Sequence, residues 1–246
     1  MVKLNPHIII QARMGSSRLP GKVMKQIDGI PMIGYQIERL KKTNFSVTVA
    51  TSIDSNNDKL VEYLEKIGVQ VFRGSEDDVL KRYYDAATQE KTTHVIRITG
   101  DNPLIDPQFV LDQVEILNNN LNSERYYLNV GKEKKLPLGM SFELFPYALL
   151  KEAYLNSETN AEKEHVTPYM HQNMPGDIDF YQFETSINAP ELRLTVDTDR
   201  DFELIDALIT KYKCHLKSIN EIIEIIRKNE YLKRINNDTI QKSWDS

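Results

Sequence analysis

A single cysteine, Cys214, is all the thiol that the 246-residue chain contains. One thiol excludes an intrachain disulfide and a cysteine-rich zinc site, and it makes a reducing, cytoplasmic setting the default expectation. Long apolar runs are missing as well. Nothing in the sequence approaches the roughly 18 residues that a membrane span requires, and residues 1–6 lack the apolar segment of a signal peptide. Positive charge is not in excess: 31 Lys and Arg face 36 Asp and Glu, a net charge of −5 at pH 7. A broad nucleic-acid-binding face is therefore not expected, and any cationic site has to be local. The length suits one α/β domain with insertions, and a single domain over residues 1–246 is expected.

One such local cationic site is present. Residues 8–22 read IIIQARMGSSRLPGK. Ile8, Ile9 and Ile10 are a β-branched run without polar alternation, which suits a strand covered on both faces in a parallel sheet. Gly15, Ser16, Ser17, Pro20 and Gly21 then break the strand and leave backbone N–H groups open to close approach. Arg13, Arg18 and Lys22 sit on this loop with no acid nearby in sequence. Fixed cations beside open amides at a strand's carboxyl end form an anion site, and a polyphosphate is the anion that fits best. A P-loop is excluded: five residues separate Gly15 from Gly21, and Val23 replaces the magnesium-binding hydroxyl.

Further along, apolar spacing predicts a helix after Pro31, a strand at Val47–Ala50, a helix over 58–67 ended by Gly68, and a strand over 69–72. Ser75 reads as the N-cap of a helix over 77–89, with Asp77 and Asp78 in its first turn. Val95, Ile96 and Ile98 predict another buried strand that ends at Gly100-Asp101. Asp106, before Pro107, reads as the cap of a helix over 109–117, which leaves Asp101 without a structural duty. A magnesium ion on a triphosphate needs only one or two protein carboxylates, so Asp101 suits it. Residues 138–143 alternate like a strand bordering a cleft, so Gly139, Ser141 and Glu143 are candidates to face a second substrate. Leu194 and Val196 predict a strand ending at Asp197, with Asp199 or Asp201 capping the helix from Phe202. Ser218 and Glu221 form a capping box for an amphipathic helix over 218–235.

Five segments carry a family resemblance: QARMGSSRLPGKVM, FRGSEDDVLKRYYDAA, the GD-x-P at Gly100, EHVTPY around His165, and the VDT ending at Thr198. In this order, over roughly residues 7–209, they resemble the cytidylyltransferase family that includes the CMP-Kdo and CMP-sialate synthetases, most nearly its SpsF-like spore coat polysaccharide branch. The resemblance implies a Rossmann-like, three-layer α/β nucleotidyltransferase fold of the GT-A-like kind with a mostly parallel sheet. A central insertion, about residues 126–183, would bind the acceptor and form a homodimer contact. CTP would be held by Gln11, Ala12, Arg13, Gly15, Ser16, Arg18, Lys22 and Thr99, with Arg73 and Ser75 on the base and ribose side. Arg18 and Lys22 would be catalytic, and Asp101 and Asp197 would hold Mg2+. Gly139, Ser141, Glu143 and His165 would border the acceptor.

The implied reaction transfers CMP to an acceptor hydroxyl or phosphate oxygen with release of pyrophosphate. A sugar acid, an aldose phosphate and another phosphorylated metabolite all remain open as acceptors. One alternative comes from another reaction class: a GT-A glycosyltransferase using Asp197-Thr198-Asp199 as its D-x-D metal motif.

Overall fold

The computed structural model describes residues 4–131, 134–174 and 176–239. The triple-isoleucine run lies in β1, His7–Gln11, with Ile8, Ile9 and Ile10 fully buried. A two-residue hairpin follows, β2 Gln26–Ile27 and β3 Ile30–Pro31, and leads into α1, Met32–Lys41. Next come β4 Val47–Ser52, α2 Asp58–Lys66, β5 Gln70–Gly74, α3 Val79–Gln89, β6 His94–Thr99 and α4 Pro107–Asn120. The central region supplies β7 Tyr126–Val130, β8 Phe142–Pro146, α5 Tyr147–Asn156, α6 Asn160–His165 and β9 Asp179–Tyr181. Three helices complete the series: α7 Asp199–Thr210, α8 Ile219–Arg227 and α9 Glu230–Arg234.

These strands form one seven-stranded sheet in the order β5-β4-β1-β6-β8-β7-β9. β5, β4, β1 and β6 are parallel, whereas β8 runs opposite to both of its neighbours. Ile8, Ile10, Ile96 and Ile98 face one helical layer, which includes Ile33 and Ile37 of α1 and Val110 of α4. Ile9, Val95 and Phe145 face the other, with Leu80 and Tyr83 of α3 and Leu149 of α5. Apolar residues on both faces explain why the central strands show no alternation. The expected three-layer, mostly parallel α/β architecture is therefore observed. It brings the carboxyl ends of β1, β4, β5 and β6 to one edge, where open α/β sheets bind ligands.

Several local expectations are corrected. Asp78 caps α3 by accepting the Lys81 N–H, and the Ser75 hydroxyl instead accepts the Asp78 N–H, so the helix starts at Val79. The strand expected over 138–143 begins only at Phe142. Leu138 makes an isolated bridge to Arg193, and Gly139 breaks the extended run with φ +98°. A Cβ on Gly139 would lie 2.6 Å from the Thr195 nitrogen, so this crossing of two chains requires glycine. Leu194 and Val196 are buried as expected, but their segment is not a sheet strand; it bonds to Leu138 and to the Asp101 carbonyl. Thr198 caps α7, and Asp201 is the reciprocal partner in that capping box. The helix expected over 218–235 is two helices, because Asn229 caps a new one by accepting the Tyr231 and Leu232 N–H groups.

Candidate active site

The loop after β1 is pinned at both ends. The Met14 N–H donates to Asn57 Oδ1 at 2.9 Å, and the Gly21 N–H donates to the Met14 carbonyl at 2.9 Å. Leu19 is buried beneath it, and Ser16 Oγ accepts the Leu19 N–H at 3.4 Å. Ala12 is also buried; a Cβ on Gly100 would come within 2.8 Å of the Ala12 Cβ, so Gly100 lets the ends of β1 and β6 meet. Gly15 is exposed beside Glu76.

With the backbone held in this way, the three loop cations reach across the cleft to carboxylates far away in sequence. Arg13 Nη1 lies 2.6 Å from Glu76 Oε1, and Arg18 Nη2 lies 3.1 Å from Asp197 Oδ2. Lys22 Nζ donates to Asp101 Oδ2 at 3.0 Å, Asp197 Oδ1 at 2.8 Å and the Val196 carbonyl at 2.7 Å. All three ammonium protons are thereby used.

The two aspartates are themselves positioned. Thr99 Oγ1 donates to Asp101 Oδ1 at 2.5 Å, and the Asp101 carbonyl accepts the Val196 N–H at 2.9 Å. The carboxyl end of β6 is thus tied to the segment that carries Asp197. Arg193 Nη2 holds Asp197 Oδ2 at 2.7 Å, while Arg193 Nε holds Asp201 Oδ1 at 2.8 Å. Asp201 in turn accepts the Asp197 N–H, and Asn236 donates to Asp201 Oδ1. Asp197 Oδ2 is occupied by Arg193 and Arg18, which leaves Oδ1 to Lys22.

Burial alone would lower the Lys22 ammonium's pKa, but Asp101 and Asp197 outweigh it and raise the pKa above the ordinary lysine value. For Asp197, burial acts to raise the carboxyl. Lys22, then Arg18 and Arg193, hold it below the usual carboxylate range. Both groups are therefore charged at neutral pH. Among the described residues, no three or more His, Cys, Asp or Glu side chains gather as a metal cage. Two carboxylates whose oxygens converge on one cation still suit an ion that takes its other ligands from phosphate and water, as magnesium does.

The remaining candidates fall into two groups. Arg73 donates to the carbonyls of Ser52, Ile53 and Asp54 and pairs with Asp58 at 2.8 Å, bracing the loop after β4. Together with Ser75, Glu76 and Phe72 it lines a cavity of about 650 Å3 beside the cation loop, large enough for a nucleoside.

On the β8 side, Glu143 accepts from Arg97 Nη1 at 2.5 Å, from Thr167 Oγ1 at 2.9 Å, and from the Tyr127 hydroxyl. Gln11 Oε1 lies 3.5 Å from Arg97 Nη2, which links this network to the end of β1. Burial acts to raise Glu143, but Arg97, Tyr127 and Thr167 hold it below the usual range. Ser141 is exposed just before β8, and Gly139 is buried against Leu194 and Thr195. His165 ends α6, half-buried, immediately before a tight turn. Val166 there has φ +73° and ψ −53°, and the Thr167 N–H donates to the His165 carbonyl at 2.8 Å. This is the rare γ-turn, strained for a β-branched residue, and the π-helical turn Tyr169–Asn173 follows it. Strain and π-turns of this kind concentrate at functional sites.

Sequence reasoning missed Glu76, Arg97, Tyr127, Thr167 and Arg193. Arg97 offered a signal, as a charge between Ile96 and Ile98 in a buried strand. Glu76 gave none, because its partner Arg13 lies on the loop after β1, and Arg193 stands only four residues before Asp197 but in a segment with no helical period to mark the pair.

Residues 7–235 match the family described as cytidylyltransferase. The chain belongs to the cytidylyltransferase family. It is 33% identical over 231 residues to the spore coat polysaccharide biosynthesis protein SpsF of Bacillus subtilis, covering 90% of this chain and 93% of that one. An uncharacterized protein of Methanocaldococcus jannaschii is 37% identical over 241 residues, covering 96% of each chain. A solved cytidylyltransferase structure from Leptospira borgpetersenii superposes with a TM-score of 0.86 at 34% identity, covering 97% of this chain and 100% of that one. Membership makes this chain a nucleotidyltransferase by family and sets aside the glycosyltransferase alternative. The geometry agrees, because the supposed D-x-D does not act as a unit. Asp197 faces Lys22, Thr198 caps α7, and Asp199 is 81% exposed and pairs with Lys25. Among the described residues, no helix is long and apolar enough to cross a membrane.

Proposed function

We propose that this cytidylyltransferase transfers CMP from CTP to an anionic sugar or another hydroxyl- or phosphate-bearing acceptor, with Mg2+ and with release of pyrophosphate. The observation that carries the reading is the convergence of Arg18, Lys22, Asp101 and Asp197, from three separate parts of the chain, on one point at the carboxyl edge of the sheet. In-line displacement at phosphorus is catalysed mainly by positioning and by neutralising phosphate charge, and this group supplies both.

Each residue's part follows from its chemistry. Arg13 and Arg18, as planar forks, bind the outer phosphate oxygens, and Lys22 neutralises charge that develops on the α-phosphate. Asp101 and Asp197 would hold Mg2+, which when bound polarises the phosphate and lowers the acceptor's pKa. Ser75 and Glu76 border the cavity proposed for the nucleoside, and the Glu143 network walls the acceptor side. The Bacillus relative's name supports a role in surface polysaccharide precursor synthesis. The central region would supply the homodimer contact.

The test is pyrophosphate release from CTP, UTP and ATP across a panel of sugar acids, aldose phosphates and other phosphorylated metabolites. Release with CTP and an acceptor of one of these classes is expected. Release with UTP or ATP, and none with CTP across the same panel, contradicts the proposal.

A further inference from the structure

Every cation of the loop is already paired within the protein: Arg13 with Glu76, Arg18 with Asp197, and Lys22 with Asp101 and Asp197. The Lys22 pairing differs from the other two, because its ammonium sits between both carboxylates assigned to the metal and has spent all its protons there and on the Val196 carbonyl. We propose that Lys22 is the resident cation of the carboxylate pair, and that a divalent metal and Lys22 exchange places when the nucleotide binds. This inference rests on the reading of Asp101 and Asp197 as metal ligands.

The argument is one of space and charge. Magnesium binds oxygen at roughly 2.0–2.1 Å. Nζ lies 3.0 Å from Asp101 Oδ2 and 2.8 Å from Asp197 Oδ1. An ion bound to both would share this small volume with a like-charged ammonium, so the ammonium must leave. It has freedom to do so. Lys22 opens a single turn of 3-10 helix just after Gly21, whose φ of +70° lies outside that turn, and its four methylenes let Nζ move by several ångströms with the backbone in place. Released from the aspartates, Lys22 is free to meet a phosphate oxygen.

The free protein gains from this arrangement, because two carboxylates aimed at one point repel each other unless a cation stands between them. The consequence is linkage. Metal alone must displace Lys22, and nucleotide alone must draw Lys22 and Arg18 from their carboxylates. Together each removes the other's competitor, so each raises the other's affinity by the same factor.

The wild-type protein is titrated with Mn2+ without nucleotide, with occupancy read by electron paramagnetic resonance. In parallel, the reactivity of Lys22 toward an amine-acetylating reagent is read by peptide mass spectrometry, with Lys25 as the internal reference. Lys22 labelling is expected to rise severalfold as Mn2+ binds and to fall again when CTP is added. The Lys22→Met variant is expected to bind Mn2+ about tenfold tighter than wild type, and Lys25→Met to bind it unchanged.

Mn2+ bound to the wild type with Lys22 labelling unchanged or reduced overturns the proposal. So does Mn2+ binding in neither wild type nor a folded Lys22→Met. Binding by Lys22→Met alone supports it as outright competition. If Lys22→Met does not fold, the wild-type labelling decides alone. Because the metal steps use no nucleotide, failure of CTP to bind would contradict the proposed function without touching this result.

Discussion

Lys22→Ala lowers kcat by about 10²- to 10³-fold and leaves the nucleotide KM within a few-fold of wild type at saturating Mg2+. The asymmetry follows from where charge changes. In the proposed site several donors, including Arg13, Arg18 and loop amides, would hold the ground-state triphosphate, so losing one would cost little binding. Charge on the α-phosphate oxygens is redistributed only as the acceptor attacks, and an ammonium placed beside them would then stabilise the transition state more than the substrate. Steady-state kinetics with varied CTP separate the two effects. A large rise in KM at constant kcat would make Lys22 a uniform binding residue and not a catalytic one.

Arg97→Met destabilises the protein by about 3–5 kcal/mol near neutral pH, measured as a fall in the urea midpoint. The Arg97 and Glu143 side chains are 16% and 12% exposed, so solvent screens the pair only weakly. Removing the cation leaves a buried carboxylate with only neutral hydroxyl donors. The pH dependence has a definite sign. In wild type, Glu143 is held below its unfolded value, so its contribution is present above about pH 4.3 and is lost as pH falls through the lower folded value. In Arg97→Met, burial prevails and the folded pKa rises above the unfolded one. The deficit against wild type is therefore largest at neutral pH and shrinks as acid protonates Glu143. Arg97→Met combined with Glu143→Leu recovers much of the loss, because no buried charge then remains unpaired.

The parts of the fold that were legible in sequence are those built from local signals. The run of isoleucines in β1, the 3.6-residue period of α2, Asp106 before Pro107, and the Ser218–Glu221 box each act within a few residues, and each is found where expected. The central region was not legible. There Tyr126 and Tyr127 are both buried in β7, one on each face, so no alternation marks the strand. The break at Gly139 depends on the Leu194–Thr195 backbone, more than fifty residues away, and no local reading reaches that far. The polar segment that ends in Trp244 reads in sequence as loosely held, an expectation that falls outside the described residues.

The candidate site divides along the same line. Arg13, Arg18 and Lys22 announce themselves as unpaired cations in sequence, whereas the structure pairs every one of them with a distant acid. Asp101 and Asp197 were visible as acids at the ends of buried segments. Their mutual approach through Lys22 was not, since it depends on the register of β1 against β6 and on the Val196–Asp101 hydrogen bond. Arg193 is the clearest case of a residue that only the fold explains. Its guanidinium joins Asp197 to Asp201, and so joins the cleft to the cap of α7.

The central claim, a CTP-dependent site built on Lys22, Asp101 and Asp197, is tested most directly by calorimetric titration of the protein with CTP, UTP and ATP in the presence of Mg2+, repeated on Asp101→Asn. The account predicts binding selective for CTP, with the magnesium-dependent part of the affinity lost in Asp101→Asn. Equal binding of all three nucleotides, or CTP binding whose magnesium dependence survives in Asp101→Asn, would contradict it.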